Sequence, residues 1–205
     1  MTTRTLTVVS AGLGQPSSTS LLATRLARAS TDALARRDVE TQVTTIELRE
    51  HAHDLTDNLL TFFASQPLQT AKDAVATADG VIAVTPIFSA SYNALFKNFF
   101  DLLDDNTLTG TPVLLGATAG TPRHSLALEH TIRPLLSYLR ALTTPTAVFA
   151  ASQDWGTDTD TNERLAARID RAAEELANLL THHEPTQTQD PFTTPTPFEQ
   201  LLDIN

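Results

Sequence analysis

Hydroxyl side chains crowd one short stretch near the start of this chain. Ser10-Ala11-Gly12-Leu13-Gly14-Gln15-Pro16-Ser17-Ser18-Thr19-Ser20 follows directly on a strand candidate at residues 6–9. A turn from a strand into a helix leaves the first helical N–H groups unpaired and carries about half a positive charge. Ser17, Ser18, Thr19 and Ser20 add hydroxyl donors at that spot, and Gly12 and Gly14 let the backbone curl around a ligand. No Asp or Glu occurs between positions 1 and 31, so no carboxylate of this segment competes for the helix start. The chemistry this suits is the holding of a phosphate. An ordinary N-cap at Ser18 or Thr19 uses the same residues equally well.

Other phosphate motifs fit less closely. A Walker A loop ends in Gly-Lys-Ser/Thr, and no lysine precedes Lys72. The dinucleotide fingerprint needs a third glycine where Ser17 stands. Four clustered hydroxyls suit the three oxygens of a phosphate monoester better than a pyrophosphate, which favours a mononucleotide. A second segment, Thr85-Pro86-Ile87-Phe88-Ser89-Ala90-Ser91-Tyr92-Asn93, follows the apolar run at residues 81–84 and leads to Lys97, Asn98 and Asp101. A loop opened by proline at a strand tip can hold a flat ring, with Pro86, Ile87, Phe88 and Ser89 against it. A third segment, Gly116-Ala117-Thr118-Ala119-Gly120-Thr121-Pro122, is small and rich in exposed backbone. There Ala117, Thr118, Ala119 and Gly120 could aim amides at a ring carbonyl, although an ordinary strand-to-helix turn explains it as well. Phosphate and flat ring together point to flavin mononucleotide (FMN).

The elements that must position these segments alternate along the chain. Strands are expected near residues 5–10, 40–46, 81–84, 112–117 and 146–150, and helices near 18–37, 92–104 and 125–141. Short helices interrupt the polar stretch 51–78. A last helix starts at a capping box, Asp160 with Glu163, and buries Leu165, Ile169, Leu176 and Leu180. Pro134 should kink the fourth helix or start a second segment. The alternation predicts a three-layer α/β sandwich on a five-stranded parallel sheet, and the flavodoxin-like order 2-1-3-4-5 would put all three segments at one edge.

Composition narrows the function classes. The 205 residues carry a formal charge of −10 with no basic run, which argues against nucleic acid and anionic membrane surfaces. No cysteine is present, so disulfides, thiolate catalysis and cysteine-ligated clusters are excluded. The N-terminus does not read as a signal peptide, and no stretch approaches the roughly 18 apolar residues of a membrane span. A cytoplasmic location is expected.

On these residues the chain resembles the NAD(P)H-dependent FMN reductases of the flavodoxin-like superfamily. The likeness rests on the serine-rich loop, on Thr85-Pro86-Ile87-Phe88 with Lys97, Asn98 and Asp101, and on Gly116 to Gly120. It is similar in particular to the branch that supplies reduced flavin to luciferase-like monooxygenases. That narrower match rests on Pro16 to Thr19, on Thr121-Pro122-Arg123-His124-Ser125-Leu126-Ala127-Leu128-Glu129-His130, and on the tail Pro197-Phe198-Glu199-Gln200-Leu201-Leu202. The resemblance implies FMN and NAD(P)H as bound molecules, hydride transfer from nicotinamide to the flavin N5, and a monooxygenase partner. It implies no catalytic side chain and no metal. Two departures stand out: many relatives carry an arginine in the first loop, which here has none, and Ala119 replaces a frequent glycine. A quinone or azo reductase that keeps its flavin, and a non-enzymatic FMN carrier, are the alternatives. Scarcity of aromatics beyond Phe88 and Tyr92 disfavours the carrier.

Helix 92–104 is apolar on two adjacent lines, Leu95-Phe99-Leu102 and Phe96-Phe100-Leu103. It suggests a homodimer or tetramer seam across which Lys97 and Asp101 could pair; a weak pair within one helix is the other reading. Arg123 with His124, and Arg25 with Arg28, are candidate contacts of a nucleotide phosphate or solvated helix residues. His51 with His53 and His182 with His183 have poor metal spacing. Residues 1–183 form the flavodoxin-like domain. Residues 184–205 have a linker composition but carry Phe192, Phe198, Leu201 and Leu202, and are expected to be an arm on a neighbouring subunit or on the last helix.

Overall fold

Apolar side chains spaced by two in the strands and by three or four in the helices sort into two layers against one sheet. The computed structural model describes residues 2–156 and 159–182. In chain order the elements are β1 (Thr2–Ser10), α1 (Ser18–Ala35), β2 (Val39–Glu47), α2 (Ala52–Thr61), α3 (Gln66–Ala76), β3 (Gly80–Phe88), β4 (Ser91–Tyr92) and α4 (Ala94–Asp101). These are followed by β5 (Pro112–Ala119), α5 (Arg133–Tyr138), β6 (Leu142–Thr143), β7 (Val148–Ala151) and α6 (Thr159–His182).

The parallel sheet runs β2-β1-β3-β5, and the outer side of β5 carries β6 and then β7. The expected order holds, with two added short strands. Leu6, Val8, Ile82, Val84 and Leu114 face α1 and α6 on one side, while Val9, Val81, Ala83, Val113 and Leu115 face α3, α4 and α5 on the other. β1, β3 and β5 are covered on both faces, which is why they read as almost unbroken apolar runs. β2, at the edge, leaves most of its side chains exposed. At the lower end of the sheet Asp79 ties β1 to β3, accepting from Thr5 N at 2.7 Å and from Arg4 Nη1 at 2.8 Å.

The structure corrects four expectations. First, β3 continues past Val84 through Pro86 to Phe88, where a loop was expected. β1 stops pairing at Val84, so Pro86 has only β5 beside it and its missing N–H costs no ladder bond. Second, the chain then reverses in a hairpin: Ile87 pairs with Tyr92 and Phe88 with Ser91. Ser89 and Ala90 occupy the turn with φ of 49° and 68°. Such mirror-image turns match strand twist but favour Asn or Gly, so neither residue announces them. Third, the expected helix 125–141 is preceded by a short 3-10 turn (Pro122–His124) and is itself reduced to a wide π turn (Leu128–Ile132) and α5. Pro134, lacking an N–H, stands in the first turn of α5, as a second segment requires. Glu129 clasps Arg133 at 2.6 Å across this junction, and that guanidinium holds the Glu129 carboxyl below the usual range. Fourth, the outermost strand is two pieces. Glu175 captures Thr146 N and Oγ1 at 2.6 and 2.7 Å, and Arg133 holds Thr144 O at 2.9 Å, fixing the break between β6 and β7.

The lower ends of α1 and α6 are joined by Arg36 and Arg37, both bonded to Glu174, whose carboxyl they hold below the usual range. Arg37 also caps α1 by donating to Ala33 O at 2.7 Å. Asp160, one half of the expected capping box, lies outside the described side chains, and the arm 184–205 lies outside the described residues. No helix among the described residues is long and apolar enough to cross a membrane.

Ala90 carries its Cβ into left-handed backbone space that glycine enters freely. Ala90→Gly is expected to raise stability by about 0.5–1 kcal/mol, seen as a higher denaturation midpoint. A fall in the midpoint would show that the turn is not strained.

Candidate functional site

The three segments singled out in the sequence meet at the carboxyl ends of β1, β3 and β5. That edge is the winding's switch point, since β1 has β2 on one side and β3 on the other. The first loop, residues 11–17, leads into α1, whose N-cap is Ser17 rather than Ser18 or Thr19. Ser17 Oγ accepts from Ser20 N at 3.2 Å, and its backbone oxygen accepts from Leu21 N at 3.0 Å. The first turn of α1 contains no acidic residue.

Gly12 is fixed by space. A Cβ there would lie 2.2 Å from Ser17 Oγ and 3.0 Å from Ser20 Oγ, so only glycine lets both hydroxyls close over the loop. Ser20 Oγ donates to Glu47 Oε2 at 3.0 Å, which leaves Ser10, 3.1 Å away, to donate to Ser20. Ser10 is fully buried, Ser18 is exposed, and Ser17 and Ser20 are half-buried. Glu47 is a surprise. The first segment is free of carboxylates, yet β2 places one opposite Ser10 in register.

Two buried polar links lock the loops together. Asn93, only 3% exposed, donates from Nδ2 to Ala11 O at 2.7 Å. Its Oδ1 accepts from Phe96 N at 3.0 Å, capping α4, and its own N–H donates to Thr85 Oγ1 at 3.3 Å. Thr19 Oγ1 and Thr118 Oγ1 share a hydrogen bond of 2.7 Å, tying the head of α1 to β5. Asn93 belonged to the second segment but had no role in the sequence reading. Its clue was its place just before an apolar helical run, where an N-cap stands.

The proposed ring-binding residues divide by orientation. Phe88 is half-exposed and Ser89 exposed at the hairpin tip; Pro86 is half-buried. Ile87 sinks its side chain into the core. In the third segment β5 persists through Ala119, because β3 and β7 flank it on both sides. Ala117 is buried, Thr118 turns its hydroxyl toward α1, Ala119 is partly buried and Gly120 stands exposed beyond the strand. A groove of about 390 Å³ lies beside this end, lined by Pro122, Ser125, Leu126, Phe149, Gln153 and Arg168 among others.

Other candidates fall elsewhere. Arg25 lies over the Trp155 ring at 5.7 Å, and Arg28 is exposed beside Asp32; both line a cleft between α1 and α6. Arg123 and His124 do sit at the strand-end edge, in the 3-10 turn capped by Thr121. Lys97 pairs with Asp101 of its own helix at 2.5 Å, and Phe96, Phe99 and Phe100 are buried inside the protein's own core. Among the described residues no group of three or more His, Asp or Glu is arranged to hold a metal.

Donors at the head of α1, a glycine floor closed by hydroxyls, and the exposed Phe88 and Gly120 at the neighbouring ends of β3 and β5 are the features that suit a mononucleotide carrying a flat ring. The model of the family described as NADPH-dependent FMN reductase matches residues 5–156. An FMN reductase (NADPH) of Pseudomonas aeruginosa is 42% identical over 135 residues, 66% of this chain and 73% of the relative. An NADH-dependent FMN reductase, SfnF, of Pseudomonas fluorescens is 46% identical over 113 residues, 55% of this chain and 60% of that protein. An oxidoreductase of Corynebacterium diphtheriae of known structure superposes with a TM-score of 0.85 at 45% identity, covering 90% of this chain and all of that one.

Asn93→Asp keeps the oxygen that caps α4 but turns the Nδ2 donor into a second oxygen facing Ala11 O. A loss of about 2–4 kcal/mol is expected, since a buried polar group loses its partner and a charge is buried unpaired. Equal stability of the variant and the parent in urea denaturation would remove Asn93 from this role.

Proposed function

The chain belongs to the NADPH-dependent FMN reductase family, and we propose from that premise that it oxidises NADH or NADPH at the expense of FMN and releases reduced FMN. The observation that carries the reading is the convergence of the three tied loops at the switch point of a flavodoxin-like sheet. When bound, FMN supplies the hydride acceptor, its N5 atom.

The chain's own residues bind and orient. Ser10, Gly12, Ser17, Ser18, Thr19 and Ser20 form the phosphate end, where unpaired helix N–H groups and the helix dipole favour an anion. Pro86, Ile87, Phe88 and Ser89 form one wall of the ring site, through backbone and the exposed Phe88 ring. Ala117, Thr118, Ala119 and Gly120 form the other, where backbone N–H groups beyond the strand stabilise negative charge on a ring carbonyl. No side chain is assigned a proton; the chain's part is to bind and orient the two molecules. Phe88 is the one exposed aromatic ring on these walls. An open ring face of that kind suits a flavin that leaves over one clamped between aromatics, as a carrier would hold it. Delivery to a flavin-dependent monooxygenase, and action in the cytoplasm where pyridine nucleotides are plentiful, belong to the same proposal. Residues 184–205 are read as an arm over a neighbouring subunit or α6.

A homodimer or tetramer through the α4 side completes the reading. α2 packs against α4 and ends in Leu59, Leu60, Phe62 and Phe63, with Leu60 75%, Phe62 87% and Phe63 81% exposed. Apolar surface gathered in this way marks an interaction site, and a second copy presents the same patch. Phe62→Asn with Phe63→Ser is expected to shift the protein toward monomer in sedimentation while the fold persists; Asn suits the left-handed Phe62 backbone. An unchanged assembly would place the seam elsewhere.

Aerobic oxidation of NADH and NADPH, followed at 340 nm with and without added FMN, tests the activity. FMN-dependent turnover with little flavin copurifying is expected. Tight flavin binding without oxidation of either nucleotide would overturn the reductase reading in favour of a carrier.

A further inference from the structure

We propose that Arg49 is the cationic ligand of the flavin 5′-phosphate, supplied from the turn after β2 in place of the arginine the first loop lacks, and that it makes the protein select FMN over riboflavin. The inference rests on the reductase reading above. Residues 10–20 contain no Lys or Arg. The chain leaving β2 nevertheless enters a 3-10 turn, Leu48–His51, which touches this loop through Arg49. Leu48 is fully buried and anchors the turn. Arg49, half-buried, reaches back so that Nη1 lies 3.5 Å from Gly14 O, the outer limit of a hydrogen bond.

The remaining guanidinium donors have no carboxylate within ion-pair distance among the described residues. Glu47 and Glu50 flank Arg49 in sequence, yet neither pairs with it, and Glu47 is engaged by Ser20 instead. Arg25, Arg28, Arg36, Arg37, Arg4 and Arg133 all have ring or carboxylate partners elsewhere. Arg49 is thus a cation set against the rim of the loop with its fork unspent, and a planar fork of donors matches phosphate oxygens two at a time.

Electrostatics gives the arrangement a reason. Glu47 brings a negative charge to the flank of α1 through Ser20 Oγ, and the whole chain carries −10. A dianionic phosphate entering there needs a compensating cation nearby. The end of β2 and the turn that follows it provide both charges, two residues apart, Glu47 on Ser20 and Arg49 on Gly14. The distinction between FMN and riboflavin then resides in Arg49, because the two flavins share the ring and differ in the phosphate.

The test is titration of FMN and of riboflavin, by flavin fluorescence, into the wild type, Arg49→Gln and Arg49→Lys, with circular dichroism melts to confirm folding. The wild type is expected to prefer FMN. Arg49→Gln should weaken FMN about tenfold while riboflavin stays within about twofold, and Arg49→Lys should recover part of the loss as a point charge. An equal change for both flavins in Arg49→Gln, or no change in either, would overturn the role of Arg49. A wild type that binds neither flavin would overturn the reductase reading itself.

Discussion

One buried amide holds this site together. Asn93 has its side chain between two strands that would otherwise end independently, donating to Ala11 of the first loop while capping α4 and receiving its place from Thr85. Neither of its polar atoms can be lost without stranding a partner away from water, where an unsatisfied group costs about 1–3 kcal/mol. The geometry of the first loop, the exit of β3 and the start of α4 are therefore one decision. The Thr19–Thr118 bond adds β5 to the same unit. Loops linked in this way need little further ordering when a ligand arrives, so less of the binding energy is lost to entropy.

The hairpin between β3 and β4 works on the same principle from the other side. Its turn is held at two positive-φ residues, Ser89 and Ala90, neither of them glycine. The energy for that comes from the pairing of Ile87 with Tyr92 and from Tyr92 packing against Phe96, their rings 5.8 Å apart. The effect is to present Phe88 half-exposed at the end of a paired strand instead of on a free loop. An acidic protein can likewise hold an anion because the local field decides. The first turn of α1 carries no acidic residue of its own, and Arg49 reaches the rim of the same loop, so the local field can offset the carboxylate of Glu47 and the net charge of the chain.

Much of this was legible in the chain. The parallel α/β sandwich followed from the alternation of strands and helices, its order came with the flavodoxin-like assignment, and the three candidate site segments were marked by Gly12 with its serines, by Pro86 and by the small residues 116–120. What was not legible depended on partners distant in sequence. Pro86 reads as a loop until one sees that β1 has already stopped pairing beside it. Ser89 and Ala90 carry no hairpin signal. The break between β6 and β7 is imposed by Glu175 and Arg133, from two different helices. Glu47 and Arg49 look like ordinary edge-strand charges until register sets Glu47 opposite Ser10. The two-sided apolarity of the α4 stretch proved to be filled largely from within, by Phe96, Phe99 and Phe100.

The central claim is that residues 11–20 and the ends of β3 and β5 form a single preformed flavin site. Amide hydrogen exchange with and without saturating FMN tests it most directly. The account predicts slowed exchange in residues 12–20, at the 86–93 hairpin and at Gly120, with the α1–α6 cleft unchanged. Protection at that cleft, or at the hairpin without the first loop, would contradict it.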